Sequence, residues 1–128
     1  MEFQRFFTKA VWEGKIGYCR ALRAGNQVFV TGTASVADDG SVFAPGDAYR
    51  QARRCLEIIE KALKGLGVEM RHVVRTRMFV TDISRWQDYG RAHGEFFTAH
   101  PPCTTMVEVK RLVDPAMLIE IEADAVIG

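Results

Sequence analysis

The sequence predicts an α+β fold in which two helices cover one face of a mixed β-sheet. Three observations lead to this prediction: a hairpin pattern near the N-terminus, a long amphipathic helix in the middle, and two alternating segments close to the C-terminus. The chain has 128 residues, without a repeat or a linker-like stretch, which suits a single domain over residues 1–128.

The hairpin is predicted within residues 17–35. β-Branched and aromatic residues flank Ala24-Gly25-Asn26, a turn sequence that tolerates positive φ. A further short strand is predicted near residues 41–43. The chain would therefore begin with strands before its first helix.

The first helix is predicted over residues 47–66. Its apolar residues recur at three- and four-residue spacing, and Gly67 stands just past its end. A second helix is predicted to open at Ser84, because Ser84 and Gln87 have the spacing of a capping box. It would run to about Ala99, where Pro101 and Pro102 prevent its continuation.

A β-rich segment lies between the helices, at residues 72–82. Its alternation places Val74, Thr76, Met78 and Val80 on one face and Arg75, Arg77, Phe79 and Thr81 on the other. Two more alternating segments, residues 101–109 and 118–126, complete the predicted sheet. Only one face of such a sheet suits a helix layer.

The second sheet face is predicted to be a subunit interface with polar clefts. The residues predicted on this face are both charged and apolar. This mixture is too apolar for a solvent-exposed surface and too charged for the core of a monomer. They are Arg75, Arg77, Phe79, Met106, Glu108, Glu120 and Glu122. The alternative is structural: acids and arginines on neighbouring strands would simply neutralise one another.

Composition narrows the class of partner. The chain has 17 basic and 16 acidic residues, so the electrostatic attraction that nucleic acid or an anionic membrane needs is missing. Three cysteines, with no disulfide or metal-like spacing and no signal peptide before them, predict a cytoplasmic protein. No metal site is predicted, since Glu95 is misplaced for a zinc motif between His93 and His100.

Several segments carry a resemblance to a known family. "VFVTGTAS", "MFVTDISRW" and "TTMVEVKRLVDPAMLIEIEADAV" resemble the Rid family, also called the YjgF or endoribonuclease L-PSP family. "GYCRALRAG" is similar to a less characterised subset of it. The resemblance implies a chorismate-mutase-like fold and a homotrimer whose sheets form a central barrel, with a small-molecule site in each intersubunit cleft.

The resemblance also implies an activity and its residues. The family hydrolyses reactive enamines and imines, such as 2-aminoacrylate, to 2-keto acids and ammonia without a metal or cofactor. Glu120 corresponds to the glutamate near the attacking water, and Gly32, beside Thr31, to a loop that contacts the ligand carboxylate. Tyr18 matches a first-strand tyrosine, and His93 aligns with an aromatic residue of the second helix.

One position departs from the family pattern. Thr104 stands where the family has an arginine that clamps the substrate carboxylate, and a hydroxyl supplies neither the charge nor the fork. Typical 2-imino-acid deamination is therefore not expected. Arg20, which shares strand parity with Tyr18, is one candidate replacement and Arg77 another.

Each candidate has a structural alternative. Glu120 is predicted to activate water, or else to form a salt bridge with Arg75 or Arg77, and Glu122 is predicted to be structural. Arg20 is either an anion-binding group or a solvated strand charge. His93 is either a proton-transfer group or a hydrogen-bonded core residue. Cys103, at the start of its strand, is predicted to lie at the cleft, with simple packing as the alternative.

The sequence thus favours a trimer that binds a small carbonyl, imine or carboxylate metabolite and hydrolyses it through Glu120. A non-enzymatic metabolite-sensing or protein-interaction trimer is the first alternative. A ribonuclease is the second, and it is less favoured because neither a basic stripe nor an aromatic stacking pattern is present.

Overall fold

Six strands and three α-helices occur in residues 2–128, the part of the chain described by this computed structural model. In chain order they are β1 (Phe3–Phe6), α1 (Val11–Ile16), β2 (Ala21–Ala24), β3 (Gln27–Ala34), α2 (Ala48–Gly65), β4 (Val73–Val80), α3 (Trp86–Phe97), β5 (Cys103–Glu108) and β6 (Ile119–Val126). The strands form one sheet in the order β1-β2-β3-β6-β4-β5. Only β4 and β5 pair in parallel among these strands, so the sheet is mixed and the predicted α+β class is confirmed.

Helices α2 and α3 pack on one face of this sheet and form the core with it. The side chain of Asp47 caps α2 by accepting a hydrogen bond from the Arg50 amide at 2.9 Å. At its other end Gly67 adopts φ of +77°, a conformation that favours glycine, and the helix ends as predicted. The buried strand residues beneath the helices include Val28, Val30, Met78, Val80, Ile119 and Ile121.

Gln51 fastens α2 to the segment that precedes β6. Its side-chain amide donates to the carbonyls of Ala44 and Ala116 at 3.2 and 2.9 Å and accepts from the Leu118 amide at 2.8 Å. Because Gln51 is fully buried, these bonds satisfy a polar group that would otherwise be costly in the core. They also fix the chain as it enters β6.

The predicted hairpin is confirmed as β2 and β3, which pair through the Gly25-Asn26 turn. The N-terminal pieces β1 and α1 were not predicted, although β1 adds a strand to the sheet beside β2. The strand predicted near residues 41–43 is wrong. That segment makes a single isolated bridge between Val36 and Val42 and belongs to a loop.

The register of β4 departs from the predicted alternation at its start. An irregularity in its pairing with β6 lies between Val73 and Arg75. As a result Val73 is buried, while Val74 is 45 % exposed and does not face the helices as predicted. From Thr76 onward the predicted alternation holds, with Thr76, Met78 and Val80 buried.

The start and end of α3 also differ from the prediction. Asp82, not Ser84, caps the turn that leads into the helix: its carboxylate accepts from both the amide and the hydroxyl of Ser84. The helix begins at Trp86 and ends at Phe97, two residues before the predicted end. A short 3₁₀ turn therefore occupies the place of the predicted first helical turn.

The side chains of β5 face the opposite sides of the sheet from those predicted. Met106 lies beside Met78 in register and packs against the core, so Thr104, Met106 and Glu108 share the helix side of the sheet. The prediction that Met106 and Glu108 lie on the second face is wrong. That face, called the open face below, carries Arg75, Arg77, Phe79, Glu120, Glu122 and Asp124, as the pairing of β4 with β6 shows.

Candidate functional site

Gly32 lies in a β-bulge of β3, beside the start of β6. The pairing of β3 with β6 shifts between Val30 and Thr33 and resumes with Ala34 opposite Glu120. The Glu120 side chain covers Gly32 so closely that a Cβ atom on residue 32 would lie 3.0 Å from Glu120 Cδ and 3.2 Å from Oε1. A glycine here allows the carboxyl group to lie against the backbone.

Glu120 is a partly buried carboxylate with no partner for its charge. Burial raises the pKa of Glu120 above its ordinary value, Arg20 opposes this shift, and Glu122 adds to it. Within residues 2–128 its side chain forms no hydrogen bond or salt bridge; Arg77 instead pairs with Asp124 at 3.2 Å and Glu122 at 3.7 Å. The predicted structural alternative for Glu120, a salt bridge to Arg75 or Arg77, is therefore wrong.

Arg20 is buried, and all three guanidinium nitrogens contact protein acceptors. Nε and Nη2 lie 3.3 Å from Oε2 of Glu13, which is 3 % exposed. Nη1 donates to the Gly32 carbonyl at 2.7 Å and to the Thr33 hydroxyl at 3.3 Å. The alternative of a solvated strand charge is wrong, because Arg20 is only 7 % exposed. A bound anion would have to displace one of these acceptors.

Tyr18 and Thr31 lie beside this network. The Arg20 guanidinium carbon is 5.5 Å from the centre of the Tyr18 ring, and the Thr31 hydroxyl donates to the Cys19 carbonyl at 2.7 Å. Both residues border an open cavity of about 710 Å³ on the open face. The cavity extends from them toward Arg77. It offers room for a small ligand next to the bulge.

A second group of predicted site residues lies on the helix side of the sheet. His93 on α3 is 9 % exposed, and its Nε2 lies 2.8 Å from the Thr76 hydroxyl. Thr76 donates in turn to the Thr104 hydroxyl at 2.6 Å. Burial lowers the pKa of His93. Cys103 precedes Thr104 on the edge strand but lies in register with Arg75, so its exposed side chain is on the open face.

The predicted site residues thus fall into two groups within one chain. Tyr18, Arg20, Thr31 and Gly32 lie at or next to the bulge of β3, where Gly32 contacts Glu120, whereas Cys103 and Thr104 lie on the edge strand β5 and His93 packs against Thr76 of β4. Glu120 and Thr104 also belong to opposite faces. A site that contains both would require a second copy of the chain.

Two residues of these groups were missed by the sequence predictions. Glu13 lies in α1, a helix of six residues that is too short to show a clear period. Thr76 did carry a signal: it was placed on the same face as Met78 and Val80, and a polar residue on an apolar face needs a hydrogen-bond partner.

Across residues 2–128, His, Cys, Asp and Glu side chains form no group of three or more that could hold a metal ion. No helix in this range is long and apolar enough to cross a membrane.

Solved structures place this fold in one class of proteins. A crystal structure of a member of the highly conserved YjgF/YER057c/UK114 family from Mycobacterium tuberculosis is 40% identical, with a TM-score of 0.89, and the match covers 98% of this chain and 100% of that one. The YjgF gene product of Escherichia coli is 28% identical, with a TM-score of 0.81, over 94% of this chain and 92% of that one. The fold is that of the YjgF proteins.

The sequence comparison gives the family directly. Residues 10–127 match the model of the family described as Endoribonuclease L-PSP, and the chain belongs to this family, the Rid or YjgF proteins. It is 33% identical over 111 residues to the 3-aminoacrylate deaminase RutC of Acinetobacter baylyi, covering 84% of this chain and 85% of that protein. It is 32% identical over 113 residues to the 2-iminobutanoate/2-iminopropanoate deaminase of Escherichia coli, covering 85% and 86%.

Proposed function

We propose that the chain is a homotrimeric Rid-like hydrolase that binds a small carbonyl, imine or carboxylate metabolite between subunits. The observation that carries the proposal is the unpaired, partly buried carboxylate of Glu120 above Gly32. A carboxylate whose pKa is raised holds a proton more readily, so it is a better general base near neutral pH than an exposed one. Glu120 is the base that activates water.

The surface of the sheet supports assembly. On the open face Phe29 is 45 % exposed and Val107 is 43 % exposed, beside the charged residues of β4 and β6. Apolar surface of this kind is usually covered by another subunit. A neighbouring copy would also bring its β5 edge, with Thr104, to the Glu120 group of the first copy and complete a cleft. The cytoplasmic location expected from the cysteines is part of the same proposal.

The proposed reaction is hydrolysis of an imine by a water molecule that Glu120 activates. Glu120 takes a proton from water while the water oxygen bonds to the carbon of the protonated imine, and the electron pair of the C=N bond moves to nitrogen, which gives a neutral carbinolamine. Glu120 then returns its proton to that nitrogen. The C–N bond breaks with its electron pair leaving on ammonia, and the hydroxyl proton passes to Glu120 as the carbonyl group forms. Two relatives are named as deaminases, which supports this reaction class.

The test compares Glu120→Gln with wild type in a hydrolysis assay, with a substrate that wild type turns over, chosen from a screen of small charged and uncharged imines. Glutamine keeps the shape but cannot act as a base, so turnover should fall by about 10² to 10⁴. Glu122→Gln, on the same face but paired with Arg77, is the matched control and should retain turnover. Light scattering should give about three times the 14.4 kDa chain mass for all three proteins. Unchanged turnover in a trimeric Glu120→Gln protein contradicts the proposal.

A metabolite-sensing or protein-interaction trimer is the second candidate. It is favoured because Arg20 and Arg77 are engaged with protein acceptors and Thr104 is neutral. The two candidates differ in turnover. Ligand binding that is equal in wild type and Glu120→Gln, with no substrate consumed by either, identifies the sensor.

Ribonuclease activity is the less favoured alternative. The net charge of +1 leaves little counterion release to drive RNA binding. Any ribonuclease activity should therefore separate from the trimer during further purification. Activity that stays with the trimer and disappears in a folded Glu120→Gln variant would contradict this expectation.

A further inference from the structure

Two hydroxyl groups connect a buried histidine to the exposed edge of the sheet. Thr76 is fully buried in β4, and its Cα partner on β5 is Thr104, which is exposed. The His93 Nε2 atom lies 2.8 Å from the Thr76 oxygen, and the Thr76 hydroxyl donates to the Thr104 oxygen at 2.6 Å. These three side chains are called the Thr104 relay below.

The direction of the two hydrogen bonds depends on the tautomer of His93. With hydrogen on Nε2, His93 donates to the Thr76 oxygen, and Thr76 donates its one hydrogen to Thr104 across the 2.6 Å contact. Thr104 then accepts from Thr76, and its own hydrogen is free to point outward from the sheet edge. With hydrogen on Nδ1, Thr76 would instead donate to Nε2.

The relay carries no charge at neutral pH. Burial alone lowers the pKa of His93, and its near neighbours are the Phe97 ring at 4.6 Å and the Thr76 hydroxyl. One charged pair of the neighbouring helices is engaged away from His93: Arg53 of α2 contacts Glu95 of α3 at 2.7 Å near the surface. The exposed end of the relay is therefore uncharged.

We propose that His93 carries its hydrogen on Nε2, that His93 and Thr76 are positioning residues that hold Thr104 as a hydrogen-bond donor, and that the cleft therefore recognises an uncharged acceptor, such as a carbonyl or carboxamide oxygen. A neutral hydroxyl satisfies one such oxygen, whereas a buried carboxylate also needs a compensating charge. The recognition step rests on the proposed function, because a cleft at Thr104 requires a second subunit. The relay itself lies within one chain and is tested separately.

The first experiment observes the relay without any ligand. Nitrogen NMR of the full-length protein with ¹⁵N-labelled histidine should show His93 with hydrogen on Nε2 at pH 7.5. In Thr104→Val the Thr76 hydroxyl loses its acceptor and can donate to Nε2, so the Nδ1-protonated tautomer should gain population. Thr104→Ser keeps the hydroxyl and should match wild type. Hydrogen on Nδ1 in wild type, or an unchanged tautomer in Thr104→Val, overturns the relay.

The second experiment tests recognition with pyruvamide and pyruvate, which have nearly the same shape and differ in charge. Wild type should bind pyruvamide at least as tightly as pyruvate in NMR titrations. Thr104→Val should weaken pyruvamide binding by about two- to tenfold, the effect of one neutral hydrogen bond. Thr104→Ser should bind like wild type.

Different results would contradict the proposed cleft and the proposed role of Thr104. A monomer that shows the expected tautomers contradicts the proposed cleft and supports the relay as a positioning device. A trimer that prefers pyruvate strongly, or binds neither probe, overturns the assignment of Thr104 as a recognition group. A trimer in which Glu120→Gln abolishes turnover but Thr104→Val leaves binding unchanged overturns it as well.

Discussion

The Glu120 carboxyl group lies against the backbone of Gly32, and the Gly32 carbonyl accepts a 2.7 Å hydrogen bond from Arg20. The candidate base is therefore positioned by a glycine that is itself held by a buried arginine. Arg20 in turn is fixed by Glu13. The location of the carboxylate depends on residues from α1, β3 and β6 together.

Gly32→Ala should displace the Glu120 carboxyl and reduce activity more than stability. The new Cβ would lie 3.0 Å from Glu120 Cδ, and the flexible side chain can rotate away at a cost of about 0.5 to 1.5 kcal/mol. Urea unfolding and the imine assay measure the two effects. Gly90→Ala is the matched control, because its Cβ meets nothing within 4 Å and helix α3 should be unharmed. A large loss of stability with full activity per folded molecule would contradict this prediction.

Glu120→Gln should stabilise the protein at pH 7 but not at pH 4. Burial raises the folded-state pKa of Glu120 above its unfolded value, so its favourable contribution is complete below the unfolded pKa and is lost as pH rises through the folded pKa. The glutamine variant has no charge to bury. Melting temperatures at both pH values, with Glu122→Gln as the paired control, measure the effect. Equal melting temperatures for wild type and Glu120→Gln at pH 7 would show that the charge is well solvated.

The sequence could predict those parts of the fold whose signals are local. The period of α2 and the Gly25-Asn26 turn are each specified by nearby residues, and both were confirmed. The side that Thr104 faces could not be predicted, because the residues of β5 include no clear apolar face. Its orientation is set by pairing with β4, which begins 30 residues earlier in the chain.

The candidate site, too, could be predicted only where the sequence signals are local. The alternation of β6 placed Glu120 and Glu122 together on the open face, as the structure has them. The environment of Arg20 was missed, because its partner Glu13 lies in a short helix without a periodic pattern. Burial of an ion pair is a tertiary property, and no feature of the hairpin sequence indicates it.

Glu13→Gln should destabilise the fold strongly. Removing one member of a buried pair leaves Arg20, 7 % exposed, with an uncompensated charge, and such changes cost about 3 to 5 kcal/mol. The double variant Glu13→Gln/Arg20→Gln should recover part of the loss, as measured by urea unfolding. Glu57→Gln, which breaks only contacts of 4.0 Å at the surface, should cost less than about 1 kcal/mol. Similar losses for Glu13→Gln and Glu57→Gln would contradict the prediction.

His93 should make the protein less stable as the pH falls from 7.5 to 5. Its folded-state pKa is depressed by burial, so its contribution is present above the unfolded pKa of about 6.5 and is lost as the pH falls through the folded pKa. His93→Gln keeps an amide that can donate to Thr76 but does not titrate, so its melting temperature should change less over this range. His100→Gln, near the exposed end of α3, should follow wild type. A His93→Gln profile parallel to wild type would assign the pH dependence to other groups.

Thr104→Arg should convert the cleft from recognition of an uncharged acceptor to recognition of a carboxylate. A guanidinium forms charge-assisted hydrogen bonds of about 1.5 to 3 kcal/mol, so hydrolysis of 2-aminoacrylate-derived imines should rise by roughly ten- to a hundredfold if that energy is expressed in the transition state. Gln87→Arg adds the same charge at an exposed position near the start of α3 and should leave the rate unchanged. Coupled assays of both trimers, together with pyruvate and pyruvamide titrations, distinguish a local clamp from a general effect of charge.

Strong wild-type activity toward these imines would mean that a clamp at position 104 is unnecessary. An inactive but correctly assembled Thr104→Arg trimer would mean that the cleft lacks more than the arginine.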